Sequence, residues 1–464
     1  MSSSSPAYVS YCKLKNTLIT KQLEVPDKRP NGKFAKNIIW LVMENRSFHN
    51  IFGYKELYNG INKSCMINGK EYKPTPIKSS DKLDMSCDPP HDYKAFATQL
   101  GEYKNGKFAM DGFLKAIKDA NPQLNKKHLE KYYEYVMSYY EKGTLKTTHY
   151  LGEHYALCTK WFTTCPADTI TNRAFIIAGT NGNTLGSIEN IIPGEKYLYD
   201  SKTIFDVLYE NDVSFNMYSK DVSNVTNNVN ACKFIKHGFK KMNEFYSDVK
   251  NDTLPSFSYI EPNFCIDEND FHPWSDIRSG DDLITNIYNK LVKYNPSDGD
   301  WLFIISFDEH GGFYDYLSPP LLNNGNGYSP DYKIKHLGPR TPAIMISPKL
   351  FSKEGNFKNE ISDIYDNCSV LNSIMDNFNI PTNSLTERVA SSPSFINKLL
   401  SLASQYKENS NNLKRLKKIE GERYGFSEIA KAGKKYDVPS VYWYILYHIG
   451  GVVFNSAMAI RKLL

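Results

Sequence analysis

Short apolar runs separated by longer polar stretches recur along this chain of 464 residues. Two of them, Asn37–Met43 and Trp301–Phe307, are too continuously hydrophobic to alternate and too short for ordinary helices. Both predict strands buried on two faces, as in a parallel sheet. Residues 214–218, 256–260 and 343–347 extend the set, and helical periodicity over 203–209 and 282–294 falls between them. This strand and helix alternation is the βαβ rhythm of an α/β fold with a mostly parallel sheet covered on both faces. Residues 61–146 are long and polar, with an amphipathic, Tyr-rich stretch over 129–140, and read as an insertion beside an active site.

The pattern divides the chain into a polar leader (1–35), a catalytic domain (36–400) and an extension (401–464). In the extension, a basic segment with Lys414, Arg415, Lys417 and Lys418 leads to the apolar run 441–460. That run holds no Asp, Glu, Lys or Arg, approaches the length of about 20 residues that spans a bilayer, and is flanked by Lys434, Lys435, Arg461 and Lys462. Two readings stand: membrane contact through this helix, or a terminal helix docked on the domain, which the polar His448 and Asn455 and the Gly450-Gly451 pair favour. The N-terminus has no charged segment followed by an apolar one, so no secretory signal is read, and a cytoplasmic or non-classically exported protein is expected.

Composition narrows the function classes. A net charge of +5 spread among many acidic residues leaves no nucleic-acid footprint, and nothing calls for an obligate protein partner. The eight cysteines contain no CxxC pair, which argues against a zinc finger and against a disulfide scaffold.

Chemistry concentrates where the two strongest runs end. Glu44-Asn45 follows the first and Asp308-Glu309 the second. Ligands gather beyond the carboxyl ends of parallel strands, so these oxygen donors predict a divalent-metal site. An acidic residue after a strand also serves to cap the next helix, and each pair alone carries that second reading. Around Thr169, a loop with Pro166 runs into a helical pattern closed by Gly179, placing the hydroxyl near a helix N-terminus that favours phosphate. A metal-bound hydroxyl there can attack phosphorus. Taken alone, Thr169 reads as a helix cap, and Asn172 and Arg173 as solvated first-turn residues. His91 and His272 lie in polar, Pro-bearing loops where imidazole can neutralise phosphoryl charge or protonate a leaving group. His310, next to Asp308-Glu309, suits orienting those carboxylates.

At this point several segments together resemble a known family. Glu44-Asn45-Arg46-Ser47-Phe48 with Phe52-Gly53, then Trp161-Phe162 through Thr169 and Asn172-Arg173, follow in its motif order. Asn269-Asp270-Phe271-His272-Pro273, Asp308 to Asp315 with Pro319-Pro320, and Leu337-Gly338-Pro339-Arg340-Thr341-Pro342 with Ser347-Pro348 continue it. The family is that of phosphatidylcholine-hydrolysing and non-specific phospholipases C and a related acid phosphatase. The resemblance implies an alkaline-phosphatase-like three-layer sandwich. It also implies a metal held by Glu44, Asn45, Thr169, Asp308 and Glu309, with Thr169 as nucleophile through a phospho-threonine. His91 and His272 would contact the phosphoryl group with help from Asn45, and Asn172, Arg173, Asp270 and His310 would support the ligands. Oxygen donors suit Mg, Ca or Mn, and Zn accepts carboxylates as well, so the metal stays open.

The chain departs from the family at Asp315-Tyr316 and near Asp366-Asn367, where histidines are usual, and in Ala167, Asp168, Thr171 and Phe271. The leading expectation is a phospholipase C that works at a phospholipid surface, cleaving the glycerol-side phosphoester of phosphatidylcholine-like lipids to diacylglycerol and phosphorylated head group. A broad acid phosphatase with the same centre is the alternative, and an inactive membrane-binding effector is the alternative of another class.

Overall fold

The computed structural model describes residues 22–405 and 419, apart from 61–62, 79–87, 182–199, 221–222, 229, 265–267, 274 and 323–334. The leader up to residue 21 and the apolar run 441–460 lie outside the described residues. Among the described residues, no helix is long and apolar enough to cross a membrane.

Both strong apolar runs are strands at the centre of a seven-stranded sheet. In chain order its strands are β1 (Asn37–Met43), β2 (Ala156–Cys158), β3 (Phe215–Tyr218), β4 (Phe239–Lys240), β5 (Phe257–Ile260), β6 (Trp301–Phe307) and β7 (Ala343–Ile346), arranged β4-β3-β5-β1-β6-β7-β2. The first five in that arrangement run parallel, whereas β7 is antiparallel to both β6 and β2. Every residue of β1 and β6 is buried, as the continuous apolar runs require.

The helices used below are α1 (Phe48–Tyr58), α2 (Tyr93–Leu100), α3 (Lys126–Val136), α4 (Lys146–His154), α5 (Thr169–Ala178), α6 (Ile204–Glu210), α7 (Met242–Asn251), α8 (Ile277–Tyr294) and α9 (Asn367–Asn377). Phe205 of α6 packs on Phe215, Phe257 and Tyr259, while Phe245 of α7 packs on Tyr218, whose side chain points to the opposite face of the sheet. Helices α5 and α9 lie against each other, as do α4 and α8, so the sheet sits inside a three-layer α/β sandwich.

The polar insertion is more ordered than its composition suggests. Its described residues fold into three helices and short hairpins around a core of their own, including Cys65, Leu100, Phe113, Ile117, Tyr133 and Val136, and close against Tyr314. A buried charge cluster fixes α1 to the chain beyond β6. Arg340 pairs with Glu56 at 2.6 Å and with Asp315 at 3.1 Å, the Tyr316 hydroxyl donates to Glu56 at 2.8 Å, and the His49 amide donates to Asp315 at 3.1 Å. Asp315-Tyr316, one of the departures, therefore serves a buried clamp.

Candidate active site

Three parallel strands, β5, β1 and β6, lie side by side, and each is followed at its carboxyl end by an acidic residue: Glu261, Glu44 and Asp308. Register sets two of these level, because Met43 pairs with Phe307. The Asn45 amide then donates to Asp308 Oδ1 at 3.1 Å, closing the two acidic pairs into one cluster. Asn45 holds φ 53, a left-handed conformation that Asn adopts more readily than most residues. Gly311 allows the opposing loop to close, since a Cβ there would stand 2.2 Å from the Asn45 carbonyl oxygen. Capping of α1 is done by Ser47, which accepts from the Asn50 amide, and this leaves Glu44 and Asn45 free for other work.

Helix α5 brings the hydroxyl. Its cap is Asp168, which accepts from the Thr171 amide at 3.1 Å, so Thr169 is the first helical residue and its side chain is not spent on capping. Thr169 Oγ1 lies 3.3 Å from both Glu44 Oε2 and Asn45 Oδ1. Asn172 and Arg173 are buried, against the solvated reading. Asn172 Nδ2 donates to the carbonyls of Cys165 and Ala167 at 3.0 and 2.7 Å, pinning the loop that delivers Thr169. Arg173 reaches Glu44 at 2.7 Å and Glu261 at 2.9 Å.

The two histidines converge on the same point. Asn45 Nδ2 lies 2.9 Å from His272 Nε2 and 3.4 Å from His91 Nε2. His91 Nδ1 donates to the Pro89 carbonyl at 2.7 Å, which turns Nε2 toward the site. His272 is placed by Asp270, which accepts its amide at 2.9 Å, and by Arg46, whose guanidinium donates to the Phe271 and His272 carbonyls. Phe271 holds φ 77, a strained value for an aromatic residue. His310 Nε2 is 2.9 Å from Gln99 Oε1, and its Nδ1 is 3.2 Å from Glu309 Oε2. Asp88, on the exposed rim, joins His91 and His272 in a group whose donor atoms all lie within 4.8 Å of one another.

Burial dominates the electrostatics. It raises the Glu44 and Glu309 carboxyls well above the usual range, each helped by Asp308 and opposed by Arg173 and His91 respectively. Burial and then Glu268 push Asp270 up to about 7. Burial alone would lower the His91 imidazolium, but Glu309, Asp88, the Pro89 carbonyl and Asp168 more than offset it and hold it up at about 9. His310 is driven well below its ordinary value by burial and stays neutral.

A divalent cation fits this donor set. Asp308 Oδ2 and Glu309 Oε1 are buried without a hydrogen-bond partner, and Glu44, Asp308 and Glu309 crowd acceptors that a bound positive charge would satisfy. Glu44, Asn45, Thr169, Asp308 and Glu309 are the residues that would hold it.

Glu261, Arg46 and Asp88 are the site residues that sequence reasoning passed over. Glu261 carried the same signal as Glu44 and Asp308, an acidic residue directly after an apolar run. Arg46 stood inside the Glu44–Phe48 motif, but its local pattern gave no sign of burial, which comes with the ring of Phe313 lying 4.4 Å from the guanidinium.

Residues 35–381 match the Phosphoesterase family. The chain is 29% identical over 386 residues to non-specific phospholipase C6 of Arabidopsis thaliana, covering 78% of this chain and 71% of that protein. It is 28% identical over 346 residues to non-specific phospholipase C3 of the same plant, covering 68% of this chain and 63% of that protein. Among solved structures, a protein in the alkaline phosphatase superfamily from Vibrio parahaemolyticus aligns with 11% identity and a TM-score of 0.32, over 80% of this chain and 75% of that one.

Proposed function

Because the chain belongs to the Phosphoesterase family, we propose that it is a phospholipase C, hydrolysing the glycerol-side phosphoester of phosphatidylcholine-like lipids with a divalent cation at Glu44, Asn45, Thr169, Asp308 and Glu309. The names of its plant relatives support the phospholipase reaction. The observation that carries the mechanism is Thr169 Oγ1 at 3.3 Å from Glu44 Oε2 and Asn45 Oδ1, on the first residue of a helix. A divalent cation bound there supplies positive charge that favours the alkoxide and offsets charge on the phosphoryl oxygens.

Thr169 Oγ1 gives its proton to Glu44 Oε2, 3.3 Å away, and attacks phosphorus as the bond to the glycerol oxygen breaks. His91, held cationic by its acidic neighbours, faces the phosphoryl group with Nε2 and gives its proton to the departing diacylglycerol oxygen. Asn45 Nδ2 and His272 orient the phosphoryl oxygens. Water then hydrolyses the phospho-threonine and releases the phosphorylated head group.

The test compares phosphatidylcholine vesicles with p-nitrophenyl phosphate. Diacylglycerol release is expected, and monoester turnover without it would replace this reading by a broad phosphomonoesterase. Thr169→Ala is expected to lower kcat by about 10³-fold or more with folding unchanged. Full activity in that variant would remove Thr169 as nucleophile.

A further inference from the structure

Arg173 stands between two sets of carboxylates. On the pocket side its Nη2 donates to Glu44 Oε1 at 2.7 Å, and its Nε lies 3.5 Å from Asp308 Oδ2. On the far side Nη1 donates to Glu261 Oε1 at 2.9 Å. Glu261 is itself fixed by three donors: Ser223 Oγ at 2.6 Å and the Asn224 amide at 2.9 Å on Oε2, and the Tyr259 hydroxyl at 3.3 Å on Oε1. All four charged side chains are buried, with Arg173 and Glu261 at 3% and 1% exposure, so no solvent screens their mutual pull.

The guanidinium is a permanent cation beside oxygens that the proposed divalent cation needs. The two positive charges compete for Glu44 and Asp308. Without a counterweight, Glu44 and Asp308 would be the carboxylates left to Arg173, whose Nη2 is otherwise held by the Val42 and Met43 carbonyls at 3.2 and 3.4 Å. Glu261 supplies the counterweight from the end of the neighbouring strand, and Nη1 is held away from the pocket. Glu44 Oε2 then keeps its place 3.3 Å from the Thr169 hydroxyl, and Asp308 Oδ2 stays without a hydrogen bond.

We propose that Glu261 is a positioning residue for the cation site: through Arg173 it holds the guanidinium back, leaving Glu44 and Asp308 available to a divalent ion. This rests on the metal-dependent reading given above. A partner in an ordinary buried ion pair would affect stability alone, whereas Glu261 sets how strongly the site binds a cation.

The test is calorimetric titration of Mg, Ca, Mn and Zn, each separately, into the full chain and its variants. Glu261→Gln keeps the side-chain volume and an acceptor for Ser223 and Asn224 but removes the negative charge that faces Arg173 Nη1. Affinity for whichever ion the parent binds is expected to weaken by about 10- to 100-fold, the range seen when outer-shell partners are lost. Glu261→Asp, which keeps the charge, is expected to recover part of that loss. Cation binding by folded Glu261→Gln within twofold of the parent would overturn the proposal. Should Glu261→Gln fail to fold, Ser223→Ala decides: a severalfold weaker affinity supports the proposal and an unchanged one rejects it. A parent that cleaves lipid but binds none of the four ions refutes the metal-dependent reading itself, a result distinct from equal binding by parent and variant.

Discussion

His91 illustrates how one residue takes its character from its neighbours. Its ring is partly buried, which alone would strip its proton, yet Glu309, Asp88, the Pro89 carbonyl and Asp168 hold its pKa up at about 9. The imidazolium therefore persists through neutral pH and is lost as pH rises through about 9. If it neutralises the phosphoryl group, kcat/KM for phosphatidylcholine is expected to fall on the alkaline side as the imidazolium is lost, at a pH no higher than about 9, because a cation on Glu309 would weaken that residue's pull. His91→Gln should abolish that limb in a pH profile, and an unchanged limb would assign it to another group. Asp168, an apparent liability beside Thr169, thus has two uses: it caps α5 and helps keep His91 charged. Glu44, Asn45, Asp308 and Glu309 were legible because each pair follows a conspicuous apolar run. Arg173 was marked through the family resemblance alone, since a polar residue in a first turn looks solvated until α5 is seen to pack on α9 and the guanidinium to reach the Val42 and Met43 carbonyls.

Helix α8 carries a constraint that reaches His272. A Cβ on Gly280 would stand 2.0 Å from Cδ1 of the Phe271 ring, which is rigid and packed on Phe307 at 5.6 Å. Gly280→Ala is expected to displace Phe271, release its strained backbone and shift His272. We expect a loss of about 1–3 kcal/mol in a denaturant melt together with a fall in kcat of about tenfold or more. A stability loss with unchanged kcat would show that His272 does not depend on this contact. The helix itself began earlier than its periodicity suggests, at Ile277 rather than 282. Its first turn contains Gly280 and lacks an apolar stripe, but Asp281 accepts from Thr147 and Thr148 of α4, and Asp276 caps it. Such tertiary bonds leave no trace in local pattern. Strand β2 escaped notice for a similar reason: it has three residues and owes its existence to pairing with β7. The long strands needed no such help.

At the scale of the molecule, the donors proposed for the cation, Glu44 and Asn45, Thr169, and Asp308 and Glu309, come from distant parts of the chain, and a bound ion would link them. Cation binding to the folded chain alone would then stabilise it by about 2.7 kcal/mol at a free concentration a hundredfold above Kd. A chelator is accordingly expected to lower the thermal midpoint of protein purified with its metal, and re-addition of the ion to restore it. A midpoint indifferent to both would remove the link. The insertion, with a core of its own, brings Asp88 and His91 to this centre, while the residues proposed to hold the cation come from outside it, and its polar composition concealed that packing. One arrangement has a consequence for synthesis. Strand β1 leaves the ribosome early, but both of its parallel neighbours, β5 and β6, are made more than two hundred residues later. At about 5–20 residues per second, tens of seconds or less separate the first acidic pair from the second. On the proposed reading, nascent or prematurely terminated chains ending before Asp308 would lack the carboxylates of Asp308 and Glu309 and would be silent, so that hydrolysis could begin only after the second acidic pair has been made.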